Sequence, residues 1–371
     1  MMKKSLIALA AVAATGAAMA QSTVTVWGVV DAAVTKGSVS GGNSVTALSS
    51  SGISSSQLGF RGSEDMGGGM RANFWLEAGL ANDNGQGAAT NANNQPIASS
   101  VAAIRAGTQG LTFARRSTVS LSGGFGEIRL GRDYTPQFWN WTVYDPFGTN
   151  GVGTNRAMLS SVALLNSGGT GGTSVRASNS ITYLFNHGAN ATFASGNNGL
   201  HAAVQMYMGE NLSDAAGGTK KDGSGSGIRV GYNAGPLSLA VGYGRTEFVA
   251  GDTTMTNFGG AYDLKVVRVM AQISNDKAGT VKGDGMLLGV TAPVGAGLLR
   301  ASYSTYENKA TKAESKQTAV GYVHNLSKRT RAYATYARVT NSGGANIALG
   351  GATGKANASS TGFDIGMTHS F

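Results

Sequence analysis

Residues able to make or break bonds are few in this chain and badly placed for it. The four histidines, His187, His201, His324 and His369, are scattered, with no partnered serine or aspartate motif and no His-x3–5-His metal spacing. Cysteine is absent. The run Gly350-Gly351-Ala352-Thr353-Gly354-Lys355 lacks the first glycine at its proper offset and the closing Ser/Thr of a phosphate-cradling loop. An enzyme, a cofactor and a metal are therefore not expected. What the chain offers is fixed positive charge, on arginines such as Arg61, Arg71, Arg115, Arg116, Arg132 and Arg176, against few carboxylates. A unit charge at about 4 Å contributes roughly 4 kcal/mol at an effective dielectric near 20, but only about 1 kcal/mol in bulk water. In a wide, wet passage each arginine would favour an anion by roughly a factor of a few, enough to bias flow without holding the ion. Paired with Glu64, Asp65, Glu77 or Asp145, the same arginines would confer little preference.

Positioning such charges requires regular elements, and composition narrows the choice. Only 13% of residues are charged and 57 of 371 are glycine, with a net charge of +10. Soluble domains carry about a quarter charged residues and about 7% glycine. No apolar run of about 18 residues occurs in the body of the chain, which excludes membrane-spanning helices but not a barrel. Lys3 and Lys4, the apolar stretch 6–14 and Ala18-Met19-Ala20 read as a cleaved export signal over residues 1–20. That leaves a single domain over 21–371, outside the cytoplasm, whose loss of two lysines lowers the formal +10 to +8. The remaining basic excess suits an anionic surface or anionic solutes, and export makes nucleic acid an unexpected partner.

Runs of about ten residues with period-2 alternation recur from Gln21 to Phe371, parted alternately by tight glycine-rich turns and longer polar loops. They predict strands at roughly 22–36, 56–62, 70–80, 113–122, 127–133, 176–186, 200–209, 227–234, 237–248, 255–263, 264–275, 284–293, 298–307, 316–325, 330–340 and 361–371. About 16 strands is an even number, as closed bacterial barrels require. The prolines agree: Pro96, Pro136 and Pro146 fall in long loops, Pro236 in a turn and Pro293 at a strand end. Phe363, Ile365, Met367 and Phe371 share one parity, for lipid, and Asp364, Gly366, Thr368 and Ser370 the other, for water. By the same rule Leu58, Phe60, Phe74 and Leu76 face out, while Arg61, Arg71, Asn73, Trp75 and Glu77 line a lumen. Tyr303, Tyr306, Tyr333 and Tyr336, near strand ends, suit an aromatic girdle.

One connection, 134–175, is far longer than the 12–15 residues of an ordinary loop. It holds Trp139, Trp141, Tyr144 and Phe147 and the apolar run 157–165, side chains that need cover. Inside a barrel the only large cover is the barrel's own interior, so this loop is expected to fold inward and narrow a pore.

Several separate stretches then resemble one family. Ser56-Gln57-Leu58-Gly59-Phe60-Arg61-Gly62-Ser63-Glu64-Asp65 with Gly67 to Gly69, Leu121-Ser122-Gly123-Gly124-Phe125-Gly126 with Leu130-Gly131-Arg132, Leu326-Ser327-Lys328-Arg329-Thr330, and the terminal 366–371 are similar to the general trimeric porins of Gram-negative outer membranes, nearest their beta-proteobacterial branch. The resemblance spans the mature chain and implies an all-β, 16-stranded antiparallel barrel, assembled as a homotrimer, through which small hydrophilic solutes and ions diffuse passively. It implies that the third outer loop is the inward one, and that Phe371 is the signal read by the barrel-assembly machinery. It also implies an arginine ladder opposite an acidic loop residue: Arg115 and Arg176 match two rungs, Gln57 replaces a third, and Asp145 matches the acidic position. Outer-membrane lipid and lipopolysaccharide are implied as surroundings.

Alternation alone leaves two points open. With Val119 and Leu121 outward over an unbroken strand, Arg116 points inward and Arg115 outward, unless a bulge reverses them. Arg132 shares the outward parity of Ile128 and Leu130, which places it at a subunit interface, although it could also line the pore. Arg156 could serve the loop's structure or face the solute. The function expected is a passive diffusion channel with a preference for anions. Alternatives are a non-conducting surface or adhesion barrel, and a channel specific for one anion class such as phosphate or dicarboxylates.

Overall fold

The structure, a computed structural model, describes residues 23–87, 94, 110–155, 172–188, 191, 196–214, 216–249 and 251–371. The expected export signal, Arg156 and the run 157–165 lie outside the described residues. Sixteen strands cross in antiparallel order. They are β1 (Thr23–Val39), β2 (Gln57–Gly67), β3 (Met70–Ala81), β4 (Arg116–Gly123), β5 (Gly126–Tyr134), β6 (Arg176–Phe185), β7 (Gly199–Tyr207) and β8 (Gly225–Ala234). Then follow β9 (Leu237–Thr246), β10 (Thr253–Asp263), β11 (Arg268–Ala278), β12 (Val281–Val294), β13 (Gly297–Asn308), β14 (Glu314–Asn325), β15 (Thr330–Ser342) and β16 (Ser360–Ser370). Short segments at Ser44–Ser50 and Gln86–Gly87 extend the sheet. β1 pairs with β16 from Val29↔Ser370 to Val39↔Ser360, which closes the ring and leaves no open edge.

Alternation sorts side chains as the sequence predicts. Phe363, Ile365 and Met367 are exposed on the outer face, while Asp364 and Thr368 are buried within. Tyr303 and Tyr336 point outward, but Tyr306 and Tyr333 are buried inside the barrel. An offset of three residues along a strand reverses the face, so only half of the expected girdle tyrosines reach lipid. Short turns gather at one end, for instance Gly67, Gly68 and Gly69, whose φ values of 81°, 62° and 78° suit glycine alone among common residues. Between β10 and β11 the chain does turn, with Leu264 N donating to Val267 O at 2.9 Å. The gap expected after residue 275 is filled by strand, since β11 runs to Ala278 and β12 begins at Val281.

The described part of the 134–175 connection folds inside the barrel. Its helix α1 (Phe138–Val143) buries Phe138 and Trp141, and Tyr144 and Phe147 are likewise enclosed. The apolar core therefore lies between loop and wall: Phe138 and Trp141 meet Leu184 and Met255, and Phe147 and Val152 meet Ala319, Ala337 and Val339. Room comes from glycines facing inward, because a Cβ at Gly244 would strike Gln137, one at Gly259 Tyr144, and one at Gly289 Pro146. Polar ties fix the position. Asn140 bonds Asn257 at 2.7 Å, Arg229 donates to Asn140 at 2.8 Å, and Val152 N donates to Asp364 at 2.8 Å.

Candidate functional site

Where loop meets wall, Arg115 and Arg176 converge on a single phenol. Arg115 Nη2 lies 2.6 Å from Tyr134 Oη, and Arg176 Nη2 lies 2.8 Å from the same oxygen. Tyr134 in turn donates to Glu77 Oε1 at 3.1 Å, and Arg115 Nε reaches that carboxylate at 2.6 Å. The Arg176 guanidinium sits 4.2 Å from the Tyr134 ring centroid and makes no ion pair among the described residues. Each arginine stands at a strand boundary. β4 begins at Arg116, so Arg115 is free of the ladder's alternation and both side chains turn inward. The two alternatives left by parity do not exclude each other.

Behind this pair lies a balanced layer. Arg116 stands 3.5 Å from Asp133 and 4.4 Å from the Trp75 ring, while Arg129 bonds Glu127 at 2.7 Å and Asp133 at 3.3 Å. These cations are matched by carboxylates, so they stiffen the wall more than they attract a solute. Arg132 sits at a register shift between Gly131 and Asp133. Its Nε donates to Ala114 O at 2.6 Å and its Nη1 to Ser178 Oγ at 2.8 Å, on the Arg176 side of the cluster.

A cavity of about 540 Å³ opens in front of Arg115, Arg176 and Tyr134. Phe138, Trp139, Thr142 and Asn150 of the inward loop line it, and so do Ser51, Ser54, Ser55 and Ser56. Those serines belong to an element that sequence reasoning missed. Ser44–Ser50 pairs with β1 as far as Ala32, and β2 resumes at Val29, so segment 51–56 leaves the wall opposite Val30 and Asp31 and enters the lumen. Asp31, fully buried, clips it by accepting from the amides of Gly52 at 2.9 Å, Ile53 at 3.1 Å and Ser54 at 2.8 Å. Ser55 Oγ reaches Asn150 of the loop at 3.1 Å, which joins the two inward elements. The signal was the break in alternation across residues 49–56.

The remaining expected residues lie elsewhere. Asp145 does not face Arg115 or Arg176. Only 4% exposed, it accepts from the amides of Phe147 at 2.8 Å and Asn155 at 3.0 Å, and it closes a turn within the loop. Burial pushes its carboxyl up to about 7, against the pull of those amides and of Arg300. Arg300, on β13, was not anticipated; it lies 4.7 Å from the Phe147 ring centroid and 3.4 Å from Pro146 O, clamping the loop. Arg61 rests 5.2 Å from the Trp75 ring, and Arg71 lies at the short-turn rim, 3.8 Å from Asp65. Phe371 is exposed, its amide bonded to Gly28 O at 3.1 Å. Among the described residues no group of histidine, aspartate or glutamate side chains could hold a metal ion.

Comparison with known proteins fits this geometry. A family model described as Gram-negative porin matches residues 6–344. Outer membrane porin protein 32 of Delftia acidovorans is 36% identical over 390 residues, covering 100% of both chains. The major outer membrane protein P.IB of Neisseria meningitidis serogroup B is 34% identical over 175 residues, 43% of this chain and 44% of its own. Among solved structures, an anion-selective porin from Comamonas acidovorans superposes with a TM-score of 0.78 at 33% identity, over 95% of this chain and 100% of that one. Similarity that runs from end to end in sequence, and again in three dimensions, makes this chain a member of the Gram-negative porin family, a passive channel of the outer membrane.

Proposed function

We propose that this porin passes small hydrophilic solutes with a preference for anions, set where Arg115 and Arg176 face the cavity beside the inward loop. One observation carries the reading: Arg176 meets the passage with a phenol and, among the described residues, no carboxylate as partner, while the neighbouring acids are already engaged. Glu77 is taken by Arg115 and Tyr134, Glu127 and Asp133 by Arg129 and Arg116, and Asp145 by backbone amides. Positive charge therefore exceeds what nearby carboxylates offset, and in a wet site each half-buried guanidinium is worth at most roughly a factor of a few for an anion.

Arg61 and Arg71 act as outlying members of the same field, and Arg132 as a near one. The chain catalyses no reaction, is exported with cleavage after Ala20, and assembles as a homotrimer through the family's mode of association. Phe371 serves as its assembly signal, and lipopolysaccharide surrounds it. Reversal potentials across planar bilayers bathed in a salt gradient test the central claim. The wild type is expected to favour anions and Arg176→Glu to move the potential toward cations; a cation-preferring wild type would sink the reading.

A further inference from the structure

The outer wall over β9 to β12 combines an apolar trench with two facing cations at one end. Cross-strand register sets Leu239, Gly260, Ala271 and Leu288 in one outward row. With glycine and alanine between two leucines, the row sinks into an apolar trench of about 460 Å³. Toward the loop end it runs into a hollow of about 400 Å³ that shares Phe258 and Ile273 and is bounded by Asn275 and Asp284.

Directly above, Lys277 stands opposite Lys282 in the β11–β12 ladder, both exposed on the outer face. Like charges facing each other across a strand pair repel. Neither ammonium forms an ion pair among the described residues, whereas the neighbouring cations are matched: Arg245 to Asp252 at 2.6 Å and Lys309 to Asp284 at 3.0 Å. Asp284 is further engaged by Asn275 at 2.6 Å. The uncompensated pair thus caps an apolar furrow at the end where porin loops face the exterior.

We propose that this furrow binds an outer-leaflet lipid with a phosphate on its headgroup, the phosphate between Lys277 and Lys282 and an acyl chain along Gly260 and Ala271. The proposal rests on the porin reading of the barrel. Charge complementarity selects the occupant, since a phosphate oxygen accepts from two ammonium groups at once and relieves their repulsion. Length agrees too: Val269 to Lys277 spans roughly 27 Å of strand, room for a headgroup and an extended chain.

Native mass spectrometry of the purified protein from mixed micelles tests this, using a bis-phosphorylated acyl disaccharide and its dephosphorylated form. The wild type is expected to retain the phosphorylated lipid about tenfold better than either the dephosphorylated lipid or the double variant Lys277→Gln, Lys282→Gln retains it. Ala271→Phe, which fills the trench and leaves both lysines, is expected to weaken retention as well. Displacement by millimolar inorganic phosphate would reassign the lysines to a free-anion site. A dimer lost only in Ala271→Phe would mean that the trench receives a second copy. Equal retention by wild type and double variant, in barrels that still conduct ions, overturns the lipid site alone. A wild type that never conducts would overturn the porin reading beneath it.

Discussion

At the residue scale the loop acid and the wall arginines do different work. Burial pushes the Asp145 carboxyl up to about 7 from its ordinary 3.8. A carboxyl that binds its proton more tightly when folded contributes stability that is whole below pH 3.8 and lost as pH rises through about 7. The same titration adds negative charge inside the inward loop, behind the lining of the cavity. Anion preference is therefore expected to fall as pH is raised from about 6 to about 8, by less than the factor of a few that one exposed charge carries. Reversal potentials of the wild type and of Asp145→Asn check this, since the variant should show no step in that window. The sequence marked Arg115 and Arg176 through their family positions, and Asp145 in the same way. It did not show that Asp145 is capped by its own loop, because backbone amides leave no trace in side-chain spacing. Arg300 was equally invisible, an isolated arginine on a regular strand until Phe147 is laid against it.

At the element scale the opening is bounded by two inward segments. The inward loop gives Phe138, Trp139 and Asn150, and segment 51–56 gives the serines opposite. Deleting 52–55, so that Ser51 joins Ser56 and two residues remain opposite Asp31 and Val30, would let Ser44–Ser50 and β2 run as one strand along β1. Single-channel conductance is then expected to rise well above the wild type, with larger neutral sugars admitted in liposome swelling. Asp31→Asn, which weakens the clip, should lie between. Unchanged conductance would mean that the serines do not bound the flow. Strand number and order were legible because a face in lipid must alternate with a face in water. The long loop was legible from its unsheltered aromatics. Segment 51–56 was not, since serines satisfy either face and the excursion is visible only once the register of β1 is known. The glycines that receive Gln137 and Tyr144 were hidden for a related reason: their role depends on what approaches from across the lumen.

At the scale of the whole molecule, the loop-wall core is sound only inside a complete ring. Removing residues 363–371 would strip β1 of its partner from Lys36 down to Val29 and expose unpaired backbone in a setting where each unsatisfied group costs several kcal/mol. Such a truncation is expected to abolish the heat-modifiable band of the folded barrel on gels, whereas Phe371→Ala should retain some of it. The seam between β1 and β16 also governs the timing of maturation. Its ladder joins positions roughly 340 apart, an extreme contact order, and it cannot form before residues 360–370 have been made. No earlier fragment can form a finished cylinder, so the polypeptide must travel to its destination unfolded and be kept from aggregating on the way.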